Sequence, residues 1–228
     1  MNKTKDSAKM KGLSIKSPTA HNRGALEAIK IKMNTIDEQI KNIDWRNSDQ
    51  VIKFYEENRL YFENAEIINN KDKVSQMLDF SLHYANSLCD KYYYDKVLDI
   101  VQKSRILLSK LGSEHFNYEK SERHIRFLEG IALGQKKKFT TSYPIFKKLV
   151  KEDPDHHYYK LWYQHSKIGY YNWIFNLIYG LGVIFLLIDM IFLFILNNPL
   201  EYDLALVGII IMALTMVVQF GFRKYVKK

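Results

Sequence analysis

The last quarter of the chain constrains the fold most, because it contains two long apolar runs separated by a short polar break. The runs occupy residues 170–196 and 204–222, and their one acidic or basic residue is Asp189. At about 1.5 Å per helical residue, each run is long enough to cross a hydrocarbon core of roughly 30 Å. The pair predicts a transmembrane helical hairpin at 170–222, with spans at about 172–196 and 204–222.

The formal charge of +9 is concentrated at the two ends of the chain. Residues 1–24 carry six basic residues against one acidic residue, and the tail 223–228 carries four basic residues, so residues 25–222 are neutral overall. Basic segments beside a bilayer attract anionic headgroups, by about 1 kcal/mol per Lys or Arg. A nucleic-acid-binding domain needs a basic face of its own. The charge pattern therefore favours a lipid bilayer as partner and argues against nucleic acid.

The flanks of the hairpin predict its orientation. Basic residues precede the first span and follow the second, whereas the connecting loop contains Glu201 and Asp203. By the positive-inside rule, both termini are then cytoplasmic and 223–228 is a basic cytoplasmic tail. Cys89 is the only cysteine, which suits a reducing compartment, and the N-terminus lacks the apolar core of a signal peptide. We expect an integral protein of a bacterial inner membrane.

The chain begins with a Lys-, Ser- and Thr-rich segment, 1–24, which predicts a disordered basic tail. It is either a solubilising tail or a tether for headgroups or a partner. Residues 25–45 predict an amphipathic helix, whose large apolar residues recur at heptad spacing. This helix either packs on the following domain or forms a coiled-coil seam in a homo-oligomer. The seam consists of Leu26, Ile29, Met33, Ile36, Ile40 and Ile43.

Residues 46–169 predict a cytoplasmic all-α domain, because helical periodicity recurs along the segment and no strand-type alternation persists. Polar and glycine-containing breaks separate the amphipathic stretches. We expect helices at about 49–68, 73–91, 94–111, 115–134, 139–152 and 156–169, the last continuing into the first span.

One helix pair in this domain has a distinctive arrangement of small and aromatic residues. Gly130 and Ser142 are small, Phe139 and Phe146 are aromatic, and Pro154 follows the second helix. Small residues let two helices approach closely, aromatic rings fill the space between them, and proline ends the helix. The segment resembles one unit of a tetratricopeptide repeat.

A second, weaker copy has Ala85 at the small position and Tyr94 at the start of the second helix. Ala85 lies 45 residues before Gly130, whereas tetratricopeptide units repeat about every 34 residues. The helices here are therefore longer than is usual in that family. The resemblance implies an antiparallel helix-pair solenoid, and such solenoids are protein-binding scaffolds. It does not identify the protein partner.

No residue pattern in the chain supports catalysis. The seven histidines form no HExxH motif, and a single cysteine excludes a cysteine-rich zinc site. The Asp and His residues at 153–157 are interpreted as a polar turn. Glycine is scarce and no G-x-S-x-G elbow occurs. We predict no enzyme activity, no catalytic residue, no metal and no cofactor.

Asp189 is the most unusual residue of the hairpin, because ionisable groups inside a span are costly. It lies seven residues from Gly182 and therefore on nearly the same helix face. Two interpretations remain open: Asp189 lines a water path in an oligomer, or it bonds Thr215 or nearby backbone or reaches the outer interface. The second span offers a small, partly polar stripe at similar depth, made of Ala205, Gly208, Met212, Thr215 and Gln219.

Two functional hypotheses follow. The first is a membrane-anchored helical-repeat adaptor or scaffold that binds a protein partner at the cytoplasmic face. The alternative is an oligomeric membrane-perturbing or pore-forming effector, for example of a bacterial defence or toxin system, regulated by its cytoplasmic domain; this alternative rests on analogy.

Overall fold

The computed structural model of the protein describes residues 36, 38–63, 70–194 and 204–226, and these residues are all-α, without a strand. The chain divides into two compact units, Met1–Ile43 and Asp44–Lys228. In the described part of the first unit, the seam residues Ile36, Ile40 and Ile43 are buried. The remaining seam residues, at 26, 29 and 33, lie outside the described residues, as does the basic tail 1–24.

The described part of the second unit contains eight helices. They are α1 (Ser48–Glu57), α2 (Arg59–Glu63), α3 (Lys71–Asp90), α4 (Tyr94–Leu111), α5 (Tyr118–Gln135), α6 (Phe139–Glu152), α7 (His157–Phe194) and α8 (Leu204–Val226).

The prediction of a single helix at 49–68 is wrong, because the helix is interrupted at Asn58. The Asn58 backbone leaves the helical conformation, and its side-chain amide donates to the Phe54 carbonyl at 3.0 Å. An asparagine can bond the preceding turn in this way and so ends a helix. Asparagines also begin helices here: the Asn47 side chain accepts from the Gln50 N–H at 3.1 Å, and Asn70 caps α3.

Helices α3 to α7 form two layers. Each helix packs on the next. In addition α3 contacts α5 and α5 contacts α7, whereas α4 and α6 do not pack closely on each other. The first helices of successive pairs therefore lie closer together than the second helices. This is a helical-repeat-like arrangement with an inner layer of α3, α5 and α7 and an outer layer of α4 and α6.

The two complete helix pairs turn in the same way, at positions 45 residues apart. In the α3–α4 turn the Tyr93 N–H donates to the Leu88 carbonyl, and in the α5–α6 turn Lys138 donates to Leu133, both at 2.9 Å. The preceding residues, Tyr92 and Lys137, have positive φ angles of 63° and 59°. These are the bonds of a helix C-terminal turn closed by a left-handed residue. The 45-residue spacing is thus an internal structural repeat.

Charged side chains join the layers at half-buried and exposed positions. Arg105 of α4 donates two hydrogen bonds to Glu129 of α5, at 3.1 and 2.5 Å. Arg126 of α5 binds both Glu122 on its own helix and Glu152 of α6. Forked guanidinium–carboxylate pairs fix orientation as well as distance. They hold consecutive helices in one register.

Helix α7 belongs to both halves of the second unit. It runs without interruption for 38 residues, or about 57 Å. Its first part packs on α6 in the repeat domain, and its second part packs antiparallel on α8 as a hairpin. Among the described residues, α7 and α8 are the two helices long and apolar enough to cross a membrane. Only 6% and 11% of their apolar stretches are buried within the structure, unlike the core helix of a soluble domain.

Candidate functional site

Small residues bring α5, α6 and α7 together where the repeat domain meets the hairpin. The Ser142 and Ser166 hydroxyls are hydrogen-bonded at 3.3 Å and fully buried. A Cβ on Gly134 would lie 3.6 Å from the Ser166 hydroxyl, and a Cβ on Gly169 would overlap the Phe139 ring. Glycine at 169 therefore allows α6 to rest directly on the α7 backbone.

The other residues singled out in the two repeat copies occupy packing positions. Gly130 lies against Phe146, since a Cβ at 130 would be 2.7 Å from that ring. Phe146 and Ala85 are fully buried. Tyr94 and Phe139 begin α4 and α6 and are half-buried, whereas Pro154 is exposed in the turn after α6.

The hairpin is closed by a backbone contact between two glycines. A Cβ on Gly182 would lie 2.9 Å from the Gly208 carbonyl oxygen, and a Cβ on Gly208 would lie 2.6 Å from that of Gly182. Nearer the repeat domain, the Gln219 amide donates to the Asn172 side chain at 3.3 Å. Tyr171 contacts Phe222, with ring centroids 4.8 Å apart. These contacts define one antiparallel register.

That register is incompatible with a bond between Asp189 and Thr215, which was one of the open possibilities for Asp189. Asp189 lies seven residues from Gly182 toward the interhelical loop, and Thr215 lies seven residues from Gly208 in the opposite direction. The two side chains are therefore about 20 Å apart along the hairpin. Thr215 instead donates to the Ile211 carbonyl at 2.7 Å. Asp189, which is half-buried, lies beside the beginning of α8 rather than at mid-span depth.

A polar surface that sequence analysis did not identify lies on the inner layer between α3 and α5. We call it the inner groove and define it by Asp79, His83, Asn86, Lys120 and His124. The Asn86 amide donates to His124 Nε2 at 3.0 Å across the two helices. Asp79, His83 and Lys120 lie above this floor and are partly exposed to solvent.

The electrostatics of the inner groove favour the neutral form of both its imidazoles. Burial lowers the pKa of His124 to about 4, and the neighbouring His83 and Lys120 lower it further. Burial also lowers the pKa of His83, although Asp79 opposes that shift. Burial raises the pKa of Asp79, which lies close to His83 and Lys120. The groove therefore offers neutral donors and acceptors at fixed positions beside one carboxylate and one ammonium group.

This arrangement suits recognition of polar groups on a polypeptide, because amides and neutral imidazoles both donate and accept hydrogen bonds. The Trp45 ring adds an apolar wall, 4.6 Å from the His83 ring. In the part of the chain that the structure describes, no cluster of His, Cys, Asp or Glu side chains has metal-binding geometry. The sequence signal was weak, since Asn86 and His124 are 38 residues apart and lie on polar helix faces.

Comparison with protein-family models, with curated proteins and with solved structures finds no match for this chain.

Proposed function

We propose that this chain is a membrane-anchored helical-repeat adaptor that binds a protein partner through its inner groove at the cytoplasmic face. The observation that carries the proposal is the continuity of α7. This helix is one of the three inner-layer helices at its beginning and one of the two long apolar helices at its end. The groove is thereby held at a fixed distance from the proposed bilayer.

The solenoid is proposed to be tetratricopeptide-like. Support comes from Gly130 against Phe146, from the buried Ser142 and from the repeated turns at Tyr92 and Lys137. Helical solenoids present a concave surface to partners. A groove with neutral hydrogen-bonding groups, one carboxylate and one ammonium group fits a polypeptide better than a phosphate or nucleic acid, which needs a basic surface.

Photo-cross-linking in the full-length protein tests the binding surface. A benzophenone amino acid replaces His83 in the groove, and the control replaces Ile106, an exposed residue of the outer-layer helix α4. We expect a discrete adduct from position 83 that Asn86→Leu abolishes and no such adduct from position 106. Equal adducts at both positions, or an adduct indifferent to Asn86→Leu, would contradict an adaptor that uses this groove.

Anchoring is tested separately by carbonate extraction and by protease protection of tags at the two termini. We expect the chain to stay with membranes and both tags to be cleaved from the cytoplasmic side only. Extraction of the chain by carbonate would remove the membrane part of the proposal.

The alternative, a pore-forming oligomer, predicts that Asp189→Leu abolishes conductance in planar bilayers without changing insertion. The position of Asp189 beside the start of α8 favours the outer interface over a mid-membrane water path, because a carboxylate near the headgroups remains hydrated. We therefore rank the adaptor first. Conductance that depends on Asp189 would reverse that order.

A further inference from the structure

The turn between α5 and α6 lies at the level where the apolar hairpin begins. Phe139, the first residue of α6, packs on Gly169 of α7. Two residues further along α7, Tyr171 contacts Phe222, the last apolar residue before the basic tail. Two residues correspond to about 3 Å of helix axis. The start of α6 is therefore within one helical turn of the apolar boundary.

The turn between α3 and α4 lies at the same end of the solenoid. Lys136, in the α5–α6 turn, forms an ion pair with Asp95 in the first turn of α4. We call residues 91–93 and 136–138 the proximal turns. The residues that lie between helices at the opposite end, 112–117 and 153–156, are the distal turns.

The proximal and distal turns differ in charge. The proximal turns contain four lysines, two tyrosines and no acidic residue, whereas the distal turns contain three acidic residues and neither Lys nor Arg. Anionic headgroups attract lysine, and tyrosine is favoured where headgroups meet hydrocarbon. The basic proximal end of the solenoid is thus suited to face an anionic bilayer.

Two residues of the proximal turns have a backbone conformation in which glycine would be less strained than a residue with a side chain. Tyr92 and Lys137 occupy left-handed conformations, with φ of 63° and 59°, and both side chains are exposed. Glycine is the usual residue at such a helix C-terminus, since it has no Cβ to strain. Non-glycine residues held in that conformation often mark functional surfaces.

We infer that the proximal turns bind the anionic headgroups of the membrane that the hairpin spans. Lys91 pairs with Asp49 at 2.7 Å and Lys136 with Asp95, so Lys137 and Lys138 supply the charge for the headgroups. Tyr92 and Tyr93, both exposed, supply the interfacial aromatic contact. The repeat domain then stands upright on the bilayer. The inference rests on the proposed membrane anchoring and adds a second, peripheral lipid contact to it.

Lipid-dependent quenching in the full-length protein tests this contact. In a Cys89→Ser background, a bimane label is attached at Tyr92→Cys or at Phe116→Cys, which are 77% and 87% exposed at opposite ends. Helix α5 separates the two ends by about 27 Å. The protein is reconstituted in phosphatidylcholine vesicles containing a headgroup nitroxide lipid, with or without phosphatidylglycerol. We expect quenching at 92 that increases with phosphatidylglycerol, and none at 116.

Charge reversal supplies the matched control. Lys137→Glu with Lys138→Glu should abolish the phosphatidylglycerol-dependent quenching at 92. Lys147→Glu with Lys151→Glu, an equal change at exposed positions further along α6, should leave it unchanged. Circular dichroism verifies that each variant is folded to the same extent as the parent. Added salt should weaken the dependence, because exposed charges are screened.

The outcomes separate this inference from the anchoring on which it rests. If the chain is extracted by carbonate, the membrane anchoring itself fails. If the chain resists extraction but labels at 92 and 116 are quenched equally, the upright contact is overturned. The same holds if the two charge-reversed variants behave alike.

Discussion

The contact between Gly182 and Gly208 allows the effect of a glycine substitution on the free energy of unfolding to be worked out from the structure. In Gly182→Ala, the new Cβ would lie 2.9 Å from the Gly208 carbonyl oxygen and 2.7 Å from Met212 Cγ. Ordinary Cα–H···O contacts between helices are about 3.3–3.6 Å, so the two backbones must separate by roughly 0.5 Å. Overpacking of this kind costs about 1–3 kcal/mol.

The chain provides a matched control for the change in helix propensity. Alanine favours a helix over glycine by about 1 kcal/mol, which offsets part of the steric cost. Gly180→Ala changes the same helix two residues earlier, where a Cβ would meet nothing within 4 Å. The difference between the two variants therefore isolates the steric cost. We expect the free energy of unfolding of Gly182→Ala to be about 1–3 kcal/mol below that of Gly180→Ala.

Titration of the full-length protein from mild detergent into dodecyl sulfate, followed by circular dichroism, measures this difference. The pair Gly208→Ala and Gly221→Ala repeats the comparison on α8. A Cβ at 208 would lie 2.6 Å from the Gly182 carbonyl oxygen, whereas a Cβ at 221 would meet nothing within 4 Å. Equal stabilities within each pair would show that the hairpin does not close through its glycines, and the register argued from them would be refuted.

Three further predictions concern the repeat domain. The pKa of His124 in the folded protein, about 4, is below the usual 6.5 of a histidine. The contribution of His124 to stability is therefore complete above pH 6.5 and is lost as the pH falls toward 4. Melting temperatures measured over a pH series should fall in this range, and His124→Gln should reduce the fall. Burial raises the pKa of the Cys89 thiol to about 12, so iodoacetamide at pH 8 should label it far more slowly than it labels the denatured chain; equal rates would contradict its burial. Arg126→Met leaves Glu122 and Glu152 without their shared cation. It should lower the free energy of unfolding, measured by denaturant titration, by about 1–3 kcal/mol. An unchanged midpoint would contradict the bridging role of Arg126.

The general architecture could be predicted from the sequence because it depends on local patterns. Helical periodicity specified an all-α chain, and the length of the two apolar runs specified a pair of long helices. The continuity of the repeat domain with the first apolar helix also followed, since no proline or polar turn separates His157 from Tyr170 and Gly169 is the one weak helix former between them. The break at Asn58 was missed because an asparagine inside a periodic stretch is equally consistent with an exposed helix position.

The features that were not predicted depend on distances between elements. The expected depth of Asp189 was wrong because periodicity gives the face of a helix but not its axial register against another helix. Register here is set by the approach of Gly182 to Gly208, a contact that either glycine alone does not imply. The inner groove was missed for the same reason, since Asn86 and His124 meet only after α3 and α5 pack.

The two proximal turns and α7 together explain how a solenoid can end in a hairpin. The inner-layer helices α3 and α5 are each followed, two residues after their last residue, by a left-handed residue, Tyr92 and Lys137, and the chain reverses direction there. At the corresponding level of α7 the helix continues through Gly169, which stays helical against the Phe139 ring. The apolar residues that follow require a hydrocarbon environment or a partner. In a bilayer, a helix that continues at this point therefore costs less free energy than a chain that reverses direction. Any tilt of the hairpin would then be transmitted along α7 to α5 and α6, on which its first part packs, because α7 is one uninterrupted helix.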